Sequence, residues 1–160
     1  MEIERKFLVN HPPLERAVSC EQIRQGYLAV DDTAKSSVRI RQRGGKYTLT
    51  AKAGVGVARH EVEFEIPGEQ FELLWPLTQG SRLEKKRYCI PEGTVTVELD
   101  VFEGSLSGLI LAEVEFDSLV QAQSFNPLPW FSRDVTMEST FTNAWIAQHG
   151  NPLHLACSPG

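Results

Sequence analysis

Carboxylates and cations recur at alternate positions along this 160-residue chain, a spacing that gathers each set on one face of a β-strand. Glu2, Glu4 and Lys6 share a face, with Ile3 and Phe7 on the other. Arg39 and Arg41 alternate with Val38 and Ile40, and Glu61, Glu63 and Glu65 alternate with Val62, Phe64 and Ile66. Lys85 and Arg87 form a further pair; Glu98 and Asp100 interleave with Val97, Leu99 and Val101, and Glu113, Glu115 and Asp117 with Val114 and Phe116. Lys52 ends the run Thr48-Leu49-Thr50-Ala51-Lys52, whose polar face is otherwise neutral hydroxyl.

The planar donor fork of arginine matches phosphate oxygens two at a time. Carboxylates nearby supply oxygen ligands for a hard cation such as Mg²⁺ or Mn²⁺. An ordinary sheet with one wet face also alternates, but such faces mix polar types. Here carboxylates cluster on some strands and Lys/Arg on others, and like charges side by side repel unless something neutralises them. A metal-chelated polyphosphate neutralises both sets at once.

Eight runs carry the alternation: Glu2–Val9, Ile23–Ala29, Ser37–Arg43, Lys46–Ala53, Arg59–Ile66, Leu83–Ile90, Thr94–Phe102 and Leu109–Phe116. Gly44-Gly45 reads as a hairpin turn, and about eight strands suffice to close a barrel. The expected fold is mainly β, a closed eight-stranded antiparallel barrel with a charged interior and a few short flanking helices at Gly68–Trp75, Leu119–Phe125 and Met137–His149. Residues 1–150 read as one domain, and the tail 151–160, with two prolines and no periodicity, is expected to fray. The apolar barrel exterior leaves room for a homodimer.

Net charge is −5, which argues against a nucleic-acid groove. Three widely spaced cysteines and four scattered histidines suggest neither a disulfide framework nor a zinc site. No run reaches membrane-spanning length and the N-terminus is charged from Glu2, so a cytoplasmic protein is expected. Trp75, Trp130 and Trp145 fall on the helical inserts or their edges, where packing against the barrel exterior is a better reading than base stacking.

Glu2-Ile3-Glu4-Arg5-Lys6 is an ExExK motif that resembles the one defining the CYTH superfamily of triphosphate tunnel metalloenzymes. Gln25-Gly26-Tyr27-Leu28, Val38-Arg39-Ile40-Arg41, Leu49-Thr50-Ala51-Lys52, Arg59-His60-Glu61-Val62-Glu63, Glu84-Lys85-Lys86-Arg87, Glu98-Leu99-Asp100 and Glu113-Val114-Glu115 follow in that family's order, so the likeness runs from about Met1 to Thr136. It implies a Mg²⁺- or Mn²⁺-dependent hydrolase of a small triphosphate, inorganic tripolyphosphate first among the candidates. Thiamine triphosphate hydrolysis, class IV adenylyl cyclase-like chemistry and non-catalytic polyphosphate binding are the alternatives.

On that resemblance Lys6, Arg39, Arg41, Lys52, Lys85 and Arg87 hold phosphate oxygens, with Arg59 and Arg133 at the periphery; Arg133 has the competing role of pairing with Asp134. Glu2, Glu4, Glu113 and Glu115 are the leading metal ligands, and Glu61, Glu63, Glu98 and Asp100 help as further ligands, as supports behind them or by orienting water. Glu4, Lys6, Lys85 and Arg87 are expected nearest the chemistry, an in-line attack of water on a terminal phosphorus.

Overall fold

The alternating runs form nine strands of a single antiparallel sheet in a computed structural model that describes residues 2–31, 36–53 and 60–155. The strands are β1 (Glu4–Val9), β2 (Ser19–Asp31), β3 (Ser36–Arg43), β4 (Lys46–Ala53), β5 (His60–Glu65), β6 (Arg82–Glu92), β7 (Val95–Phe102), β8 (Ile110–Glu115) and β9 (Phe131–Asp134). Their spatial order is β5-β4-β3-β2-β6-β7-β8-β1-β9. The β3–β4 connection is the expected hairpin, with Arg43 paired to Lys46 and Gly44 at a φ of 57° that a side chain would resist.

Two features differ from the expected closed eight-stranded barrel. The ninth strand, β9, bonds to the outer edge of β1 through Phe7 and Val9, and Val135 donates its N–H to the Lys6 carbonyl at 2.9 Å. With that edge occupied, β5 has no ladder partner across the seam among the described residues, and the sheet is not closed by hydrogen bonds. Side chains meet there instead: Lys52 Nζ on β4 lies 3.7 Å from the Glu2 carboxylate just before β1. Strands far apart in the order are therefore brought face to face by curling of the sheet.

Apolar residues sort into two groups. On the outer surface Ile90, Val97, Leu99, Ala112 and Val114 are buried beneath Trp130, Phe131, Phe125 and Phe116. Phe7 stacks on Phe131 with centroids 4.7 Å apart. The second group fills one end of the curled sheet, where Tyr27, Leu83, Phe102 and Leu111 meet Phe141, Ile146 and Ala147.

Ile146 and Ala147 belong to α3 (Asn143–His149), capped by Thr142, whose hydroxyl accepts from Trp145 N at 3.2 Å. The longer helix expected from Met137 breaks at that cap, because Thr142 is extended (φ −74°, ψ 147°) and only a 3-10 turn, Ser139–Phe141, precedes it. The other helices are α1 (Gly68–Leu74), which runs into a 3-10 turn at Trp75–Thr78, and α2 (Leu119–Ser124), capped by Ser118. Beyond α3, Asn151 is buried and Pro152–Leu155 makes one helical turn, α4; the rest of the tail expected to fray, 156–160, lies outside the described residues. None of the helices among the described residues is long and apolar enough to cross a membrane.

Candidate functional site

Strand register sets the charged residues beside one another on the concave face. Glu4 pairs with Glu115 and Lys6 with Glu113 across β1–β8, and Glu113 pairs in turn with Glu98 on β7. Arg87 on β6 faces Asp100 on β7. Arg39 and Arg41 on β3 lie between Tyr27 and Gln25 of β2 and Thr50 and Thr48 of β4, while Lys52 faces Glu61 of β5. The cavity they enclose is about 400 Å³, near the small end of ligand sites.

Its wall holds Glu2, Glu4, Lys6, Arg39, Arg41, Lys52, Glu61, Glu63, Lys85, Arg87, Glu98, Glu113 and Glu115, which were the expected site residues. Arg59 lies outside the described residues. Arg133 does not belong to the site: it is exposed on β9, pairs with Glu138 at 2.5 Å and lies over the Phe141 ring. It does not pair with Asp134 either, because Arg5 takes that carboxylate at 2.9 Å.

Asp100 is also displaced from its expected role as a metal ligand. It is 1% exposed, and it does not line the cavity. Both oxygens are engaged: Arg87 Nε donates to Oδ1 at 2.8 Å and Nη2 to Oδ2 at 2.9 Å, and Lys85 Nζ donates to Oδ2 at 2.7 Å. Burial alone would raise its pKa, but the Lys85 charge and the Arg87 hydrogen bonds hold it well below the usual carboxylate range. Sealed from the cavity with three donors on its two oxygens, Asp100 fixes Lys85 and Arg87 in place.

The cations divide into two kinds. Those on β6 are tied down: Arg87 also reaches Glu98 at 2.6 Å, and Lys85 Nζ donates to Asn143 Oδ1 at 3.1 Å. Burial pushes the Lys85 amine down to about 8, against the pull of Asp100. Arg39 and Arg41 on β3 are held less firmly: among the described residues Arg39 Nε and Arg41 Nε are buried without a hydrogen-bond partner, and Arg41 meets a carboxylate at Glu63, 4.0 Å away. Burial and then the neighbouring Arg39 and Arg87 lower Arg41 to about 10. Buried donors left unpaired in a ring of like charge are poised for an anion.

The carboxylates show the opposite strain. Burial, then Glu113 and Glu2, push Glu4 up to about 7 despite Lys6. Glu113 stays ionised because Lys6, Lys85 and Arg87 outweigh its burial. Glu115 is raised by burial, Glu98 and Glu2. This crowding of oxygen donors is what a divalent cation would relieve. Among the described residues no three acidic, His or Cys side chains already converge into a cage, so ligand oxygens would have to complete any coordination shell.

The tryptophans sit apart from the cavity wall. Trp75 stacks on Phe71 with Arg24 and Arg82 over its face, Trp130 meets Phe131 edge-on, and Trp145 stacks on His149. The residue that charge patterning missed is Gln25, buried in the wall beside Arg41. Its position on the inner face of β2 follows from the strand period, but an uncharged side chain carries no flag.

Comparison with known proteins agrees with this arrangement. The CYTH domain model matches residues 1–139. A Nitrosomonas europaea protein named inorganic triphosphatase is 46% identical over 148 residues, covering 91% of this chain and 96% of that one. One from Acetivibrio thermocellus with the same name is 35% identical over 150 residues, with 92% and 94% covered. A crystal structure of an inorganic triphosphatase superposes with a TM-score of 0.73 at 43% identity, covering 92% of this chain and 95% of its own. With its charged cavity carried on the strands that the family model spans, the chain belongs to the CYTH domain family.

Proposed function

We propose that the protein hydrolyses inorganic tripolyphosphate to pyrophosphate and orthophosphate with the help of Mg²⁺ or Mn²⁺. The observation that carries this reading is the pair of buried, unpartnered guanidinium donors on Arg39 and Arg41, facing a small cavity whose opposite wall is crowded with carboxylates. The names of the relatives from Nitrosomonas europaea and Acetivibrio thermocellus support it. Tyr27 is the one aromatic residue among the described lining, so a base or a thiamine ring would find little to stack on.

Arg39, Arg41 and Lys52 bind and orient the phosphate chain, and Lys6 joins them from β1. Arg87 and Lys85, held by Asp100, keep positive potential at fixed positions, where charge growing on bridging and terminal oxygens is stabilised without rearrangement. Glu4, Glu113 and Glu115, with Glu2, Glu98, Glu61 and Glu63 around them, would hold the cation. When bound, that ion screens the phosphate charge and acidifies water. Before the cation binds, Glu4 holds a proton up to about pH 7, and the ion would displace it.

The test is phosphate release from tripolyphosphate, thiamine triphosphate, ATP and pyrophosphate in parallel, with Mg²⁺ and then Mn²⁺, the ATP reaction also being assayed for cyclic AMP. Selective, metal-dependent turnover of tripolyphosphate is expected. Preference for ATP or thiamine triphosphate overturns the substrate assignment, and binding without turnover under either metal overturns the enzymatic reading.

A further inference from the structure

Gln25 is a fully buried amide in the wall of a cavity built for an anion. Its Nε2 donates to the Tyr27 hydroxyl at 3.0 Å, and its Oε1 has no partner. A buried carbonyl without a donor is a defect that folded chains seldom keep unless something else completes it. The two side chains lie two residues apart on β2, both facing the cavity, and the register places Gln25 beside Arg41 and Tyr27 beside Arg39.

The two ends of a carboxamide have nearly the same shape, and a half-turn about the terminal bond exchanges them. In the turned state the Tyr27 hydroxyl donates to Oε1, and the two N–H groups of Nε2 take the place of the bare carbonyl. No polar atom of the pair is then left as an unpaired acceptor, and the cavity gains a donor next to Arg41. An anion in the cavity favours this state, because it accepts from N–H and is repelled by a carbonyl oxygen.

A neutral donor has a specific use at this position. Arg41 already stands among Arg39, Arg43 and Arg87, which lower its pKa together with burial. Another lysine or arginine would deepen that repulsion, whereas an amide adds a hydrogen bond without adding charge. The backbone beneath is fixed from outside: a Cβ on Gly26 would come within 2.6 Å of the Thr78 side chain, and Tyr27 N donates to the Ser81 carbonyl at 2.9 Å. Gln25 and Tyr27 are therefore held facing inward before any ligand arrives.

We propose that Gln25, oriented by the Tyr27 hydroxyl, is a substrate-binding residue that donates its amide N–H to an oxygen of the triphosphate chain beside Arg41. The assignment rests on the tripolyphosphate reading above. It makes this end of the cavity a reader of ionised, accepting phosphate oxygens.

The experiment is steady-state kinetics of Gln25→Glu, Gln25→Met and Tyr27→Phe with inorganic tripolyphosphate and Mg²⁺, alongside Arg39→Ala and thermal melting of each protein. Gln25→Met, which loses the donor and keeps the bulk, should raise KM about 3- to 10-fold. Gln25→Glu should raise it about tenfold or more, since it repels phosphate and draws Arg41 away. Tyr27→Phe should raise KM less than either and lower the melting temperature by only a few degrees, because the ring still fills its space and only the orienting hydroxyl is gone. KM values within twofold of wild type for both Gln25 variants, while Arg39→Ala is impaired, overturn the inference and leave the function standing. Should the Gln25 variants fail to fold, Tyr27→Phe decides: a raised KM supports the assignment and an unchanged one overturns it. A wild-type protein inactive on tripolyphosphate overturns both readings together.

Discussion

Asp100 grips Arg87 with two parallel hydrogen bonds, Nε to Oδ1 at 2.8 Å and Nη2 to Oδ2 at 2.9 Å, in a spot that water does not reach. Removing one member of a buried ion pair leaves the other charge uncompensated. Asp100→Asn should therefore destabilise the fold by about 3–5 kcal/mol, a fall in Tm of roughly 6–20 °C for a domain of this size. Calorimetric melting checks this. A Tm within 2 °C of wild type would show that Asp100 is no anchor.

Arg39 stands in the opposite condition, buried at Nε and bonded to nothing there. Arg39→Ala takes away a repulsive neighbour of Arg41 and loses no hydrogen bond at that nitrogen. The expected outcome is an unchanged or higher Tm with kcat/KM for tripolyphosphate down by about 10- to 100-fold, the worth of a charge-assisted hydrogen bond. Parallel losses of stability and activity would assign Arg39 a structural role.

Glu4 supplies a pH signature. Its folded pKa of about 7 lies above the ordinary glutamate value of 4.5, so between those values the folded chain binds more protons than the unfolded one. Stability contributed by the neutral carboxyl is complete at low pH and is lost as pH rises through 7, by about 3 kcal/mol at most. Glu4→Gln stays neutral throughout. In chelator, the unfolding free energy of the variant minus that of wild type should grow from pH 4.5 to 8 and then level off. A flat difference would mean that Glu4 titrates normally. Taking the difference removes the opposite trend from Asp100, whose lowered pKa costs stability only as pH falls below the carboxylate range.

Gly26 tests the outer support of β2. An added methyl would meet the Thr78 side chain at 2.6 Å, and Thr78 in turn bonds the Trp75 carbonyl at 2.7 Å and Arg82 at 2.9 Å. Gly26→Ala should cost about 1–3 kcal/mol in chemical denaturation. Combining it with Thr78→Gly should restore part of the loss, because the two sites share one contact. Strict additivity in that double variant would point to a cause other than the clash.

The period-two grammar was sufficient to locate the eight principal strands, and for β4 (Lys46–Ala53) the boundaries coincide. It also placed the site: alternation sets Ile40 and Arg41 on opposite faces, and the gathering of one charge sign per strand argues that the face of Arg41 is the interior one. What it could not tell is how deep a residue sits. Glu98 and Asp100 share a strand face, yet one reaches the cavity and the other is sealed behind Lys85 and Arg87. Nor does it choose among partners distant in sequence: Asp134 takes Arg5 from β1, leaving its near neighbour Arg133 to Glu138. Strand β9 escaped because four residues hold too little periodicity, and its pairing with β1 depends on a contact more than a hundred residues away.

The β5 edge has a consequence beyond ligand binding. Among the described residues its backbone lacks a ladder partner on one side, and Val62 and Phe64 are 60% and 52% exposed, the ingredients of fibril-like stacking between molecules. Suppose two copies joined antiparallel at this edge about a twofold axis with matching faces. Each such register sets Glu61, Glu63 or Glu65 against another of the same three, as Glu63 against Glu63 or Glu61 against Glu65. Glu61 and Glu63, two of the carboxylates that line the cavity, would thus also set like charges against each other in such an edge pairing.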